Sequence, residues 1–286
     1  MTRPKKPVTS NVPEMAETVA EYLNFSTELL ESANIPTARL DAVVLLEDCL
    51  AINRAILLAH PDQKLSYEQS NKLSLQLNQR AQHIPLAYIR GKTEFYGREF
   101  LINPDVLEPR PETETLIDLL VERVGREPID LVDVGAGSGA IGITAKLELP
   151  QVTVLGTDID PKCLKICRQN ARRYNLQIRF IEGDLISPIV KLKQTFQVVT
   201  ANLPYVPDDF RLNQAAANEP AQAIFGGPDG LSLYRRLFSQ LESLGEKPRF
   251  VFTESLPTQH ESLKNIASKH GYRLEKDQDF IQLFTI

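Results

Sequence analysis

Between residues 129 and 205 four apolar runs, IDLVDVG, VTVLGTD, IRFIEGD and FQVVTANLPY, alternate with stretches that carry apolar residues at helical spacing. Helices are expected from Gly139 and from Pro161. Later come a helix at LSLYRRLFSQLESL, a strand at PRFVFTE, a helix at PTQHESLKNIASKH and two terminal strands around YRLEK and FIQLFTI. Strands alternating with helices predict an α/β fold, a mostly parallel sheet covered on both faces. Ligands of such sheets bind beyond the carboxyl ends of the strands, so the chemistry is sought there.

The first end is Asp133-Val134-Gly135-Ala136-Gly137-Ser138-Gly139. Alternating glycines let the chain turn tightly and let a ligand approach the backbone, and the helix that follows offers free N–H groups. Gly137-Ser138-Gly139-Ala140-Ile141-Gly142 also matches the dinucleotide G-x-G-x-x-G pattern, so a nicotinamide or flavin enzyme is in play. At the second end Asp158 closes the apolar run and suits a bidentate bond to ribose hydroxyls, whereas Asp160, before Pro161, reads as an N-cap. These two ends indicate a nucleoside ligand and do not separate NAD from S-adenosylmethionine. At the third end, Asp184 can accept from an adenine amino group while Leu185 covers the ring; Asp184 equally suits the cap of a short helix.

The fourth end, Asn202-Leu203-Pro204-Tyr205, is the discriminating one. The Asn202 side-chain oxygen can accept one N–H of a planar amine or amide, the Leu203 carbonyl the other, and Tyr205 can stack on the planar group beyond the rigid Pro204. A dehydrogenase has no evident use for this pocket; an enzyme that methylates a planar NH₂ group has.

Upstream, residues 14–85 read as helices only. Pro36 is expected to open a helix with a stripe of Leu40, Val43, Val44, Leu46 and Leu50, and Ser66 to cap another. TEFYGREFLIN reads as a hairpin with Gly97 near its turn, and VLEPRPETETLIDLLVERV runs from a Pro-rich loop into a helix. The expected division is a solvated tail over 1–13, a helical recognition domain over 14–85, a hairpin linker over 86–110 and a catalytic domain over 111–286.

Net charge is −5, with 9 basic and 10 acidic residues in 1–90 and 23 and 27 in 91–286, so neither part has the basic balance of a general nucleic-acid binder. No apolar run approaches the roughly 20 residues that span a bilayer. Three cysteines, Cys49, Cys163 and Cys167, argue against a disulfide framework. Cys163 and Cys167 read as core residues rather than metal ligands, and no metal is expected. His60, His83, His260 and His270 fall outside the motifs.

Gly135–Gly139 with Asn202-Leu203-Pro204-Tyr205 resembles the Asn/Asp-Pro-Pro-Tyr amino-group methyltransferases that use S-adenosylmethionine. Phe95-Tyr96-Gly97, Pro109-Arg110-Pro111-Glu112-Thr113-Glu114, Glu219-Pro220 and Phe225-Gly226-Gly227-Pro228-Asp229-Gly230-Leu231 narrow the resemblance to the PrmC/HemK family, protein-glutamine N5-methyltransferases of peptide-chain release factors. It spans about residues 14–286.

The resemblance implies a class I, Rossmann-like, seven-stranded sheet behind a small N-terminal all-α domain. It implies S-adenosyl-L-methionine as cofactor, with S-adenosyl-L-homocysteine as product, held by Gly135, Ala136, Gly137, Ser138, Gly139, Asp158, Asp184, Leu185 and Asn202. Catalysis would fall to Asn202, Leu203, Pro204 and Tyr205, acting on the glutamine of a Gly-Gly-Gln loop in a release factor. Arg110 and Glu112 would shape the substrate entrance or form a salt bridge in the Pro-rich loop. A cytoplasmic monomer without direct nucleic-acid or membrane partners is expected.

The chain departs from the family in having Leu203 for the usual Pro, Glu108 for an apolar residue, and Thr253-Glu254-Ser255-Leu256 for the usual Glu-Ile-Gly strand end. Since Leu203 would act through its backbone carbonyl, Leu203→Pro is expected to be tolerated. The rival readings are an adenine N6-methyltransferase of DNA or RNA, a non-catalytic S-adenosylmethionine-binding adaptor and an NAD oxidoreductase.

Overall fold

The computed structural model describes residues 16–286, which form two compact units, one ending at Arg90 and one spanning Gly91–Ile286. The tail expected over 1–13 lies outside the described residues. The division falls at 90/91, so the segment expected as a separate linker is shared: Leu86–Arg90 closes the helical unit and the hairpin opens the larger one.

The first unit contains α1 (Val19–Ser32), α2 (Ala38–Leu50), α3 (Arg54–Ala59), α4 (Tyr67–Ala81) and α5 (Leu86–Arg90). Reciprocal capping boxes start α1, from Thr18 and Glu21, and α4, from Ser66 and Gln69, each satisfying backbone donors that the first turn leaves open. Two expectations for α2 are corrected. Pro36 lies before the N-cap, Thr37, rather than inside the first turn. Of the expected stripe Val43 and Leu46 are buried, while Leu40 is 48% exposed and the buried face also takes in Ala38, Ala42 and Leu45. The reason is that α2 packs against both α1 and α4, which buries more of its circumference than one stripe. Among the buried side chains here is an ion pair, Arg80 Nε to Asp41 Oδ2 at 2.6 Å.

The second unit opens with the hairpin β1 (Lys92–Phe95) and β2 (Arg98–Leu101). Tyr96 and Gly97 both have positive φ, 53° and 67°, the two-residue turn whose twist suits antiparallel strands. Phe95 and Phe100 are fully buried and meet edge to face. The remaining elements are α6 (Glu114–Val124), β3 (Asp130–Val134), α7 (Ala140–Glu148), β4 (Thr153–Asp158), α8 (Pro161–Arg173), β5 (Arg179–Glu182), α9 (Ser187–Leu192), β6 (Val198–Ala201), α10 (Ser232–Glu242), β7 (Phe250–Glu254), α11 (His260–Lys269), β8 (Arg273–Gln278) and β9 (Ile281–Thr285).

Seven strands form one sheet in the order β5-β4-β3-β6-β7-β9-β8, parallel except for β9, which pairs antiparallel with β7 and β8. Alternation along each strand divides the core. Leu131, Val198, Phe250 and Phe252 face α6, α7 and α8, whereas Val132, Val134, Val199, Ala201 and Val251 face α9, α10 and α11. This is the doubly wound, mostly parallel sheet that the strand–helix alternation predicts, and the class I architecture that the resemblance implies. The strand order reverses between β3 and β6, which places the crevice of such folds at their carboxyl ends.

A buried carboxylate sits in the middle of this largely apolar sheet. Asp133 of β3 accepts from Thr200 Oγ1 of β6 at 2.9 Å and from the Gly142 N–H of α7 at 3.0 Å, joining three elements. Burial pushes its carboxyl up to about 7.

Candidate active site

The glycine turn leaves β3 with positive φ at Gly135, Gly137 and Gly139, at 73°, 55° and 79°. Asp158, at the end of the neighbouring β4, holds the turn: its Oδ2 accepts from Gly137 N at 2.8 Å and its Oδ1 from Asp160 N at 2.9 Å. Each oxygen retains capacity for a further donor. Burial raises this carboxyl, while the Asp160 and Gly137 amides favour its charge. Asp160 is the N-cap of α8, as expected, accepting from Lys162 N, and its other oxygen accepts from Gln222 Nε2 at 2.9 Å.

These groups border a cavity of about 490 Å³. Gly135, Ala136, Gly137, Ser138, Asp158, Asp184, Leu185, Asn202, Leu203 and Pro204 all line it. Gly139 and Tyr205 do not. Gly139 instead caps α7, packed against Cys167 and Ile143. Asp184 forms an ion pair with Arg236 at the rim. The wall also includes Leu107 and Ile159, which no motif singles out, Thr113 and Phe225, which read only as motif residues, and Cys163, which reads as core. Ile159 is the most telling, an isoleucine 65% exposed inside a cavity, beside the carboxylate of Asp158. An exposed apolar side chain directly after a strand-end carboxylate was a readable signal. Cys163 is an inert wall: burial and Asp158, Asp160 and Asp105 push its thiol up to about 12.

A second cavity, about 140 Å³, is lined by Arg110, Tyr205, Val206, Leu212 and Glu254 among others. Asn202, Leu203 and Pro204 line both cavities and stand at their junction. Their backbone is clamped from behind. A Cβ on Gly226 would overlap the Pro204 carbonyl oxygen, and one on Gly230 the Tyr205 carbonyl oxygen, so the Phe225–Leu231 segment lies flush against this motif only as glycine. Gln259 Nε2 donates to the Tyr205 carbonyl at 2.8 Å.

Asn202 Nδ2 donates to Thr113 Oγ1 at 3.1 Å. The Leu203 side chain is buried, and its N–H donates to the Tyr234 hydroxyl at 3.2 Å. Leu203 is therefore more than a carbonyl, which alters the expectation for Leu203→Pro. The Tyr205 hydroxyl donates to Glu254 Oε1 at 3.1 Å, and burial with the nearby Glu254 charge raises its pKa strongly.

Arg110 pairs with Glu219, whose side chain is nearly fully buried. The salt-bridge reading of the Pro-rich loop thus has a partner more than a hundred residues away instead of Glu112. His260 lies away from both cavities, its ring between Ser255 O and Asp277 Oδ1. Among the described residues no cluster of three or more His, Cys, Asp or Glu is arranged to hold a metal, and no helix is long and apolar enough to cross a membrane.

Residues 21–91 match the PrmC N-terminal domain family and residues 111–223 the methyltransferase small domain family. The chain is 37% identical over 228 residues to a release factor glutamine methyltransferase of Koribacter versatilis, covering 78% of this chain and 81% of that one. A protein of the same name from Moorella thermoacetica is 32% identical over 265 residues, covering 91% and 93%. Among solved structures, the catalytic domain of hMettl16 in complex with a MAT2A 3′UTR hairpin aligns with a TM-score of 0.52 at 15% identity, over 75% of this chain and 80% of that one. At that identity the likeness is one of fold.

Proposed function

Since the chain belongs to the release factor glutamine methyltransferase family, whose members methylate a release factor glutamine from S-adenosylmethionine, we propose that it does so at the junction of its two cavities. The observation that carries this reading is the position of Asn202, Leu203 and Pro204 in the wall of both.

The residues of the larger cavity fit a nucleoside carrying an amino acid. Its volume lies in the range of small-molecule sites, a carboxylate with spare acceptor capacity stands at the end of β4, and the apolar Ile159 and Leu185 line the same cavity. Asp158 would take the ribose hydroxyls, Asp184 or its neighbouring backbone the adenine amino group, and the Gly135–Gly139 turn the amino-acid end. S-adenosylmethionine supplies an electrophilic methyl group on its sulfonium and leaves as S-adenosylhomocysteine.

The obstacle to the reaction is the nucleophile, because an amide nitrogen shares its lone pair with the carbonyl. Asn202 Oδ1 and the Leu203 carbonyl would accept its two N–H groups and turn the nitrogen toward the larger cavity. Acceptors fixed before reaction favour the pyramidal, nucleophilic nitrogen without reorganisation of their own. Tyr205, in the wall of the smaller cavity, would stack on the amide plane. A strong general base is not required, since the N–H proton becomes acidic as the N–C bond forms and can pass to water.

The glutamine would be that of a Gly-Gly-Gln loop, with the helical unit gripping the release factor body. A cytoplasmic monomer without nucleic-acid partners accords with a translation-factor substrate and a net charge of −5. Incubation with methyl-labelled S-adenosylmethionine and, separately, release factors, tRNA and DNA tests the reading. Label is expected on the side-chain amide of a release factor glutamine; label on nucleic acid and none on protein would overturn it.

A further inference from the structure

Behind the reacting junction lies a carboxylate that the reaction as derived does not use. Glu254 ends β7, one strand from Asn202, and is 1% exposed. Its Oε1 accepts from Tyr205; its Oε2 is buried with no hydrogen bond completed to it. The Thr113 hydroxyl and the Asn202 amide nonetheless lie close enough to this carboxylate to favour its ionised form. Thr113 is itself buried at 2% exposure, in the short 3-10 turn Pro111–Thr113 that leads into α6, and it receives the Asn202 Nδ2 hydrogen bond.

A side-chain amide is almost symmetrical in shape, and a half-turn exchanges its oxygen for its NH₂ group. Only one of the two orientations serves the reaction. With Oδ1 toward the junction, Asn202 accepts an N–H of the substrate amide; with Nδ2 there, donor would face donor. Packing alone cannot choose between them, so hydrogen-bonding partners must.

We propose that Glu254 and Thr113 are positioning residues for the methyl transfer, a buried acceptor pair that holds the NH₂ end of Asn202 and so presents Oδ1 to the substrate. The inference deepens the amide-holding reading of Asn202 and rests on it. Thr113 takes one Nδ2 hydrogen, and the nearby Glu254 carboxylate, which accepts from the Tyr205 hydroxyl, gives the second an attractive anionic field. An acceptor set that contains a carboxylate cannot be satisfied by the flipped amide, whose oxygen would face a negative charge.

The test compares Thr113→Val, Thr113→Ser, Glu254→Gln and Asn202→Ala with the parent in the full chain. The readouts are kcat and KM on a folded release factor, Kd for S-adenosylhomocysteine and the melting temperature. Thr113→Val keeps the shape and removes the hydroxyl, so kcat should fall about tenfold or more while Kd for S-adenosylhomocysteine stays within about twofold. Thr113→Ser restores the hydroxyl and should recover most of kcat. Glu254→Gln should lower kcat in the same way. In an Asn202→Ala background Thr113→Val should add no further loss, since the group it positions is gone.

Parent kcat in Thr113→Val, or equal losses in Thr113→Val and Thr113→Ser, overturns the inference while leaving the role of Asn202 standing, provided Asn202→Ala is crippled. Parent kcat in Asn202→Ala removes both the reading and the inference. A fall of cofactor affinity in step with kcat would mark Thr113 as merely structural and also overturn it.

Discussion

Leu203→Pro separates one proposed and one observed function of a single residue. In the proposed reaction its carbonyl is offered to the substrate amide, and proline keeps that carbonyl. Its N–H, however, donates to the buried Tyr234 hydroxyl, and proline has no N–H to give. Losing one such hydrogen bond costs about 0.5–1.5 kcal/mol net. Its isobutyl group is buried and packs on the glycine turn, with Cδ2 3.1 Å from where a Cβ on Gly135 would stand. A proline ring fills only part of that space, a loss of about 1–2 kcal/mol on the lower side of the scale for truncating a buried leucine. Reduced freedom of the unfolded chain offsets about 0.4–1 kcal/mol. The net is a destabilisation of roughly 0.5–3 kcal/mol, at roughly 2–4 °C per kcal/mol for a domain of this size. Calorimetric melting should therefore show the methyltransferase unit several degrees less stable, while kcat at saturating S-adenosylmethionine stays within about threefold of the parent, on the order of RT. A variant as stable as the parent would refute the packing argument. A well-folded variant with a tenfold lower kcat and unchanged cofactor affinity would refute the carbonyl argument.

Asn202→Ala should cut turnover by on the order of 10²–10³ with little change in cofactor affinity, and Asn202→Asp should be intermediate; stopped-time methylation assays and calorimetry check both. Asp158→Ala should weaken S-adenosylhomocysteine binding by about 1.5–3 kcal/mol, measured by titration calorimetry, because it removes the proposed ribose acceptor and releases the Gly137 and Asp160 amides. The pH dependence of kcat follows from Glu254, which burial raises to about 7 against the Thr113, Tyr205 and Asn202 groups that favour its charge, with Glu112 adding to the rise. The carboxylate form is the one that holds the Asn202 NH₂ end, so kcat should rise with pH through about 7 and then level. Glu254→Gln should flatten that limb; a limb that persists belongs to another group, with Asp133, also near 7, the first alternative.

The sheet was legible because its central strands are apolar on both faces, so IDLVDV or FQVV cannot be housed elsewhere. The strand-end motifs were legible for the same reason, since a polar residue that terminates such a run has only the crevice to face. Reading failed where periodicity is too short or too broad. The one-and-a-half-turn helix α3, capped by Asn53, has too few residues for a pattern, and α2 is buried on more than one side. It failed also where a residue's meaning depends on a distant partner. Glu219 reads as a motif letter, yet its role is to receive Arg110 across the fold. Thr113 sits in a stretch dominated by prolines and acids, and nothing local shows that its hydroxyl meets Asn202. Glu254 drew notice only as part of a departure from a pattern, although it too ends an apolar run, because nothing local shows that its carboxylate meets the Tyr205 hydroxyl.

The side chain of Asn170 gives the hairpin a fate it would not have alone. This fully buried amide on α8 receives the Leu101 N–H and donates to the carbonyls of Leu101 and Ser138, so one residue ties the last rung of β2 to the glycine turn. A two-stranded ribbon in water is marginal by itself and frays on its own timescale. Here fraying would leave two groups of a buried amide, the Asn170 oxygen and one of its N–H bonds, without partners. The amide hydrogen of Leu101 should thus exchange with deuterium only when the methyltransferase unit opens as a whole, with the hairpin in the same cooperative unit as the Gly135–Gly139 turn.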